Sequence, residues 1–294
     1  MKKFIFPILC LFFVASLSAQ SPEPSDSVSV EDETDTQERI TDKEKLVWVS
    51  LYAGGGPFQW NHSVDEVTFD QAIAFEGGFV LNFRIVDWLE VSTGAGLSAL
   101  SSEATVDTYD ATMDAVDSEG DEYEKRVSVS GVVEKQEYLW AKFPLSVRYV
   151  FNPGRWDIYA EAGAEYRMAI KSSFEQSGDY SNHGYYSKYD LLIDDLPEYG
   201  FYDDRTISSE GDLDMDGLLQ PFAGVGVVFP GKMSHFFIEA RYYLPGNDPF
   251  SEKQDLLFQG PSDEEGIAFY EYKSLMRGGD VSLSGFTGVI GIRF

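Results

Sequence analysis

A chain of 294 residues with 50 Asp and Glu against 22 Lys and Arg will not bind nucleic acid by neutralising phosphates, because that takes an excess of basic side chains. Its one cysteine, Cys10, lies in an amino-terminal segment with the marks of an export signal. The rest of the chain therefore has no disulfide, no thiol nucleophile and no cysteine metal site.

Lys2 and Lys3 precede an apolar run from Phe4 to about Val14, and the small residues Ala15, Ser16, Ser18 and Ala19 follow. That order predicts a secretory signal peptide over 1–19, cleaved after Ala19. The run is too short to cross a bilayer as a helix, which takes about 20 apolar residues. A lipid anchor on Cys10 is disfavoured, since Ile8 and Leu9 rather than small residues precede it. Residues 20–44 are polar and acidic with almost no aliphatic side chains, which predicts a disordered periplasmic leader. No later stretch reaches helix-spanning length, so membrane insertion has to be by strands.

From Leu46 the pattern becomes alternation, and residues 45–294 are read as one barrel. Successive strand side chains point to opposite faces, and eight segments carry the period. They are Leu46–Gly54, Ala72–Ile85, Trp88–Leu100, Gln136–Phe151, Trp156–Ile170, Leu218–Phe229, His235–Leu244 and Val281–Phe294. In the second, Phe75, Gly77, Phe79, Leu81 and Phe83 share a face. In the fourth, Leu139, Ala141, Phe143, Leu145, Val147, Tyr149 and Phe151 do. In the last, Phe286, Gly288, Ile290, Ile292 and Phe294 do. Segments of this length suit a tilted membrane strand and exceed the usual strand of a soluble sheet.

The links alternate. Val86-Asp87, Asn152-Pro153-Gly154-Arg155 and Pro230-Gly231-Lys232 are tight turns, whereas 55–71, 101–135, 171–217 and 245–280 are long. Short turns on one side and long loops on the other predict an all-β, eight-stranded, antiparallel up-and-down transmembrane β-barrel with long extracellular loops. Tyr123–Val133 and Ile267–Tyr272 also alternate, which predicts hairpins extended above the membrane or, as the reserve, ten strands. Trp48, Trp88, Trp156, Tyr159, Tyr242 and Tyr243 fall near strand ends and are assigned to an aromatic girdle.

The opposite faces carry Glu76, Glu90, Glu161, Glu165 and Glu239 against Arg84, Lys142, Arg148, Arg167, Arg241 and Arg293. An eight-stranded barrel has just enough interior for side chains to fill, and buried charges persist when paired. A salt-bridged plug is therefore expected, rather than the wider, single-sign lining of a pore.

The last strand, apolar at alternate positions and ending on Phe294, resembles the C-terminal strand of bacterial outer-membrane β-barrels. The run Tyr138-Leu139-Trp140-Ala141-Lys142-Phe143-Pro144-Leu145-Ser146-Val147-Arg148-Tyr149 resembles the central strand of the PorT-like outer-membrane β-barrel family. Ala160-Glu161-Ala162-Gly163-Ala164-Glu165-Tyr166 is similar to that family's next strand. The resemblance, shared with OmpA-type barrels, implies the fold and a place in the outer membrane among its lipids. It implies no activity, because loops differ between members.

Three places invite chemistry. Asp212-Leu213-Asp214-Met215-Asp216-Gly217 matches the opening of an EF-hand loop, but the twelfth position is Ala223 rather than Glu. Asp212, Asp214 and Asp216 are the candidate ligands for calcium or magnesium, with help from Asp203, Asp204 or Glu210, against a plain solvated acidic loop. The third long link holds Tyr180, Tyr185, Tyr186, Tyr189, Tyr199, Tyr202, Phe174 and Phe201 among small polar residues. That is the composition of a binding surface, or of a cap of rings packed on the barrel mouth. Catalysis would need a histidine paired at the outer rim. Of His62, His183 and His235, none shows a paired spacing, so no catalytic residue is named.

Of the 50 acids, 33 fall in the four long links. The expectation is a non-enzymatic surface protein whose acidic loops bind an extracellular or periplasmic protein partner, with divalent cations as counter-ions. A small channel or secretion accessory and a membrane-embedded hydrolase are the alternatives.

Overall fold

The computed structural model describes residues 46–152, 154–253, 257 and 274–294. The expected signal peptide, the leader and Ile267–Tyr272 lie outside them. The described residues form eleven strands: β1 Val47–His62, β2 Val67–Phe69, β3 Ala72–Val86, β4 Leu89–Val116, β5 Glu122–Phe151, β6 Asp157–Tyr186, β7 Leu191–Ile193, β8 Tyr202–Asp212, β9 Leu218–Phe229, β10 His235–Tyr243 and β11 Val281–Arg293.

Eight of them close a ring in the order β4-β3-β1-β11-β10-β9-β6-β5, with β5 paired back to β4 and every pairing antiparallel. The first and last strands seal the wall, and Phe294 N donates to Val49 O at 2.8 Å. The chain is an eight-stranded up-and-down transmembrane β-barrel. β2, β7 and β8 are additions at one end, paired with β4, β6 and β6.

Period two places the side chains. Phe75 and Phe79 of β3, Phe143, Leu145 and Val147 of β5, Ile158, Tyr166 and Met168 of β6, and Phe286, Ile290 and Ile292 of β11 all stand exposed on the outside. A continuous apolar belt of this kind is a liability in water and the correct surface in a bilayer. At its upper edge Lys171 lies 3.8 Å from Glu137, both exposed, and marks where the hydrocarbon ends.

The girdle divides by parity. Trp88, Trp156 and Tyr242 are exposed on the outside as expected, but Trp48, Tyr159 and Tyr243 are buried inside. Each of these three is one residue out of step with an outward neighbour (Val47, Ile158 and Tyr242), and in a strand that single step is decisive. On the turn side the outward ring is completed by Tyr149, 5.8 Å from Trp88, and Phe229, 5.8 Å from Trp156.

Much of what reads as loop is strand. β4, β5 and β6 continue without a break beyond the membrane belt, and 17 residues of β5 precede Leu139. At about 3.3 Å per residue that is roughly 55 Å of strand outside the bilayer. Gly131 makes the extension possible. It takes φ +60° at a register shift between Ser130 and Val133, a bulge conformation suited to glycine. The bulge switches parity, so Val127 and Val129 point inward below it in sequence while Val132 and Glu134 do so above it. Among the described residues no further hairpin enters the ring, and the alternation of Tyr123–Val133 belongs to this extension.

Candidate functional site

The filling of the lumen decides whether anything passes through. Lys142 of β5 pairs with Glu76 of β3 and lies 3.0 Å from Glu165 of β6. Arg148 Nε is 2.7 Å from Glu161 and its Nη2 is 3.3 Å from Glu239, while Arg241 Nε is 2.8 Å from Glu161 and also pairs with Glu239. Arg293 reaches Glu90 at 2.6 Å. Arg167 bonds Glu165 at 2.8 Å and has the rings of Phe58, Trp140 and Tyr243 around its guanidinium at 4.9–5.5 Å. All eleven charges expected to face inward do so. Lys142, Glu165 and Gln220 have no solvent contact at all, so water does not run past them.

Aromatic and aliphatic side chains close the lumen above and below this belt. Tyr52, Tyr159, Phe237 and Val289 pack beneath it. Phe58, Trp60, Trp140, Leu218, Phe222, Tyr243 and Met276 pack above. Glycines make room for the rings: a Cβ on Gly285 would lie 2.4 Å from Phe58, and one on Gly226 2.3 Å from Tyr159.

At the throat, where barrel meets extension, stands a group that composition alone did not reveal. Glu134 is fully buried, and among the described residues no salt bridge reaches it. Its Oε1 accepts from Gln136 Nε2 at 2.8 Å and Ser274 Oγ at 2.6 Å. Its Oε2 accepts from Gln176 Nε2 at 3.0 Å and Leu275 N at 2.7 Å. Burial without a cation raises its pKa from the ordinary 4.5 to about 7, against the pull of those four donors. One carboxyl thus ties β5, β6 and the turn before β11 together, and the turn seats Leu275 and Met276 in the throat. Continuing the inward parity of Lys142 backwards through Trp140, Tyr138 and Gln136 leads to Glu134, which is the signal that would have found it.

Beyond the throat, β2, β4, β5, β6 and β8 form a lobe with its own core of Val67, Val106, Val127, Val129, Val132, Tyr180 and Tyr202. The aromatic residues of the third link divide between the two expectations. Phe174, Tyr180, Tyr186, Phe201 and Tyr202 are buried. Phe174 joins the cluster at the barrel mouth and Tyr180 and Tyr202 the lobe core, while Tyr123 stacks on Tyr186 at 5.1 Å and lies edge-on to Phe201 at 5.7 Å. Tyr189 and Tyr199 are exposed.

Asp212 ends β8, and the chain runs extended from there along the barrel rim. Leu213 N donates to Ser172 O at 3.0 Å and Asp216 N to Pro249 O at 2.7 Å. Leu213 faces the core while Asp212, Asp214 and Asp216 face solvent. Arg277 lies 3.5 Å from Asp214. Asp203 accepts from Ser181 Oγ at 3.0 Å, and Glu210 stands opposite Glu175 across the β6–β8 pair. Among the described residues, no three His, Cys, Asp or Glu side chains gather as a metal site would require.

Each histidine has local contacts. His62 Nδ1 accepts from Val64 N at 3.0 Å, with Nε2 3.2 Å from Leu275 O, and burial lowers its pKa. His183 Nε2 is 3.3 Å from Asp203, and His235 sits edge-on to Trp48 at 5.2 Å.

No family model matches the chain, and no curated protein matches it. Among solved structures, Ail, the attachment invasion locus protein of Yersinia pestis, aligns with 85% of this chain and 100% of its own. The identity is 9% and the TM-score 0.30. In its complex with the heparin analogue sucrose octasulfate, the same protein aligns at 11% identity and a TM-score of 0.28 over the same shares. The translocator domain of the autotransporter NalP from Neisseria meningitidis covers 89% of this chain and 95% of its own, at 9% identity and a TM-score of 0.26. Likeness of that degree leaves the reading of the site to the chain's own residues.

Proposed function

We propose that the protein is a closed, non-enzymatic outer-membrane barrel of the PorT-like type that holds an acidic β-sheet lobe outside the cell as a binding surface. One observation carries this reading: β4, β5 and β6 run unbroken from a sealed barrel into the lobe. The barrel is thus a rigid mount rather than a conduit. Placement in the outer membrane is supported by the antiparallel closed wall and the apolar belt. The sealed lumen disfavours the channel, and the histidine contacts disfavour the hydrolase. Calcium or magnesium serves as counter-ion to so many acids, and lobe proteolysis that is equal in calcium and in chelator would remove that part.

Protease shaving of intact cells tests the arrangement. Cleavage within 104–132 and 174–212, with the turns at 152–155 and 230–234 spared until the membrane is broken, is expected. Cleavage of the turns first would put the lobe on the wrong side and end the proposal.

A further inference from the structure

The far end of the lobe carries a feature that neither the barrel nor its seal explains. After Tyr186 the chain turns through Asp190 at φ +51° and folds back as β7, with Tyr186 opposite Leu191 and Tyr185 opposite Leu192. It then bends at the Leu196–Phe201 bridge into β8. Within these few residues Tyr189 and Tyr199 are 54% and 70% exposed, and Leu191, Leu192 and Leu196 are 38–49% exposed. Leu191 and Leu192 lie on opposite faces of this short edge strand, so the end of the lobe presents apolar side chains on both. Single exposed ones are ordinary, but several large ones in one short segment outside the lipid belt mark a contact surface.

The patch is held still. The neighbouring β4–β5 hairpin grips it through Tyr186 Oη to Asp117 at 3.1 Å, Lys188 Nζ to Asp121 at 2.8 Å and Tyr189 Oη to Asp121 at 2.8 Å. A prearranged surface loses less conformational freedom on binding. Its charge selects what can approach. Asp190, Asp194, Asp195, Glu198, Asp203 and Asp204 stand exposed in this segment. The neighbouring cations are engaged: Lys188 by Asp121, Arg126 by Glu124 and the Tyr185 ring, and Arg205 by the Tyr202 ring. Anionic headgroups, sulfated sugars and nucleic acids are repelled by such a rim, whereas a basic partner is steered in.

We propose that the tip formed by Tyr189, Leu191, Leu192, Leu196 and Tyr199 docks a cationic polypeptide segment that presents apolar side chains. This rests on the reading of the lobe as an external binding surface and names the chemistry of its partner.

The test uses the full chain folded in nanodiscs of zwitterionic lipid, with empty nanodiscs as control. The probe is a fluorescent peptide of alternating Leu and Lys, and a Ser and Lys peptide of equal charge is the comparator. Three variants are compared with wild type by anisotropy: Leu191→Ser/Leu192→Ser/Tyr199→Ser, Asp194→Asn/Asp195→Asn/Glu198→Gln, and Asp107→Asn/Asp110→Asn/Asp114→Asn on the exposed edge of β4. The Leu and Lys peptide is expected to bind wild type, with the Ser and Lys peptide and both tip variants weaker by about tenfold or more. The β4-edge variant is expected to stay close to wild type.

Equal loss in the β4-edge variant, equal binding of the Ser and Lys peptide, or no binding to wild type each overturns the proposal. Retention of a heat-dependent gel shift in every variant separates lost docking from lost folding. Sidedness does not enter this assay, so an inverted lobe found by shaving would show as a distinct failure of the underlying reading.

Discussion

Arg148 on β5 meets Glu239 on β10 across the lumen, Nη2 to Oε2 3.3 Å, although β6 and β9 stand between those strands in the wall. Glu161 completes the group by accepting from both Arg148 and Arg241, and Tyr159 Oη donates to Glu239 at 2.6 Å. Such contacts cross the barrel rather than follow it. They pin its diameter and register, while contributing little net stability over a well-packed apolar filling.

Breaking one member is a different matter. Glu161→Gln leaves two buried guanidiniums with a single carboxylate, and a loss of about 3–5 kcal/mol is expected. Replacing the set together (Arg148→Met, Arg241→Met, Glu161→Gln and Glu239→Gln) is expected to recover most of it. Urea titration of the protein folded in lipid vesicles, read by the gel shift of unboiled samples, measures both. A single variant within 1 kcal/mol of wild type, a range typical of exposed pairs, would show that the pairs do not hold the wall.

The same filling predicts electrical silence. Wild-type protein in planar bilayers is expected to give no steady ion conductance, because Lys142 and Glu165 are out of reach of solvent. Lys142→Ala with Trp140→Ala and Arg167→Ala removes three of the largest fully buried side chains of the plug, and stepwise openings are expected. A conducting wild type would favour the channel over the surface-binding role.

Two glycines on β11, three residues apart, are expected to behave oppositely. A Cβ on Gly285 meets the Phe58 ring at 2.4 Å, whereas one on Gly288 meets nothing closer than Gly55 O at 4.0 Å. Gly285→Ala is expected to cost about 1–3 kcal/mol by overpacking, and Gly288→Ala, facing lipid, close to nothing. Equal effects in the same urea titration would mean that the ring of Phe58 moves aside freely.

The barrel was legible because period two needs nothing beyond neighbouring residues. The outward faces named for β3, β5 and β11 and the inward set from Glu76 to Arg293 follow from it. Partners across the lumen were not legible: Arg148 finds Glu239 only once ring order and stagger are known. The lobe was hidden by its composition. Thr206-Ile207-Ser208-Ser209-Glu210 of β8 lacks the apolar outer face that lipid imposes, so the chain reads as loop although every residue from Arg205 to Asp212 pairs with β6. The spacing of Asp212, Asp214 and Asp216 does not tell a tight loop from the extended run found there, which places Asp214 beside Arg277.

Glu134 gives the pH dependence its sign. Its carboxyl holds a proton up to about 7 in the folded protein against 4.5 ordinarily, so between those values the folded state binds more protons than the unfolded one. Stability is therefore lost as pH rises from 4.5 towards 7 and is level above. The loss from this one group is about 3 kcal/mol. Repulsion among the surface acids slopes the same way, so the measurement is a difference. Glu134→Gln keeps an amide among Gln136, Gln176, Ser274 and Leu275 but cannot ionise. Its stability relative to wild type is expected to rise by about 3 kcal/mol from pH 5 to pH 8. A difference that stays constant across that range would mean that the throat carboxyl titrates as it does in water, and that the turn at Ser274 is held by packing alone.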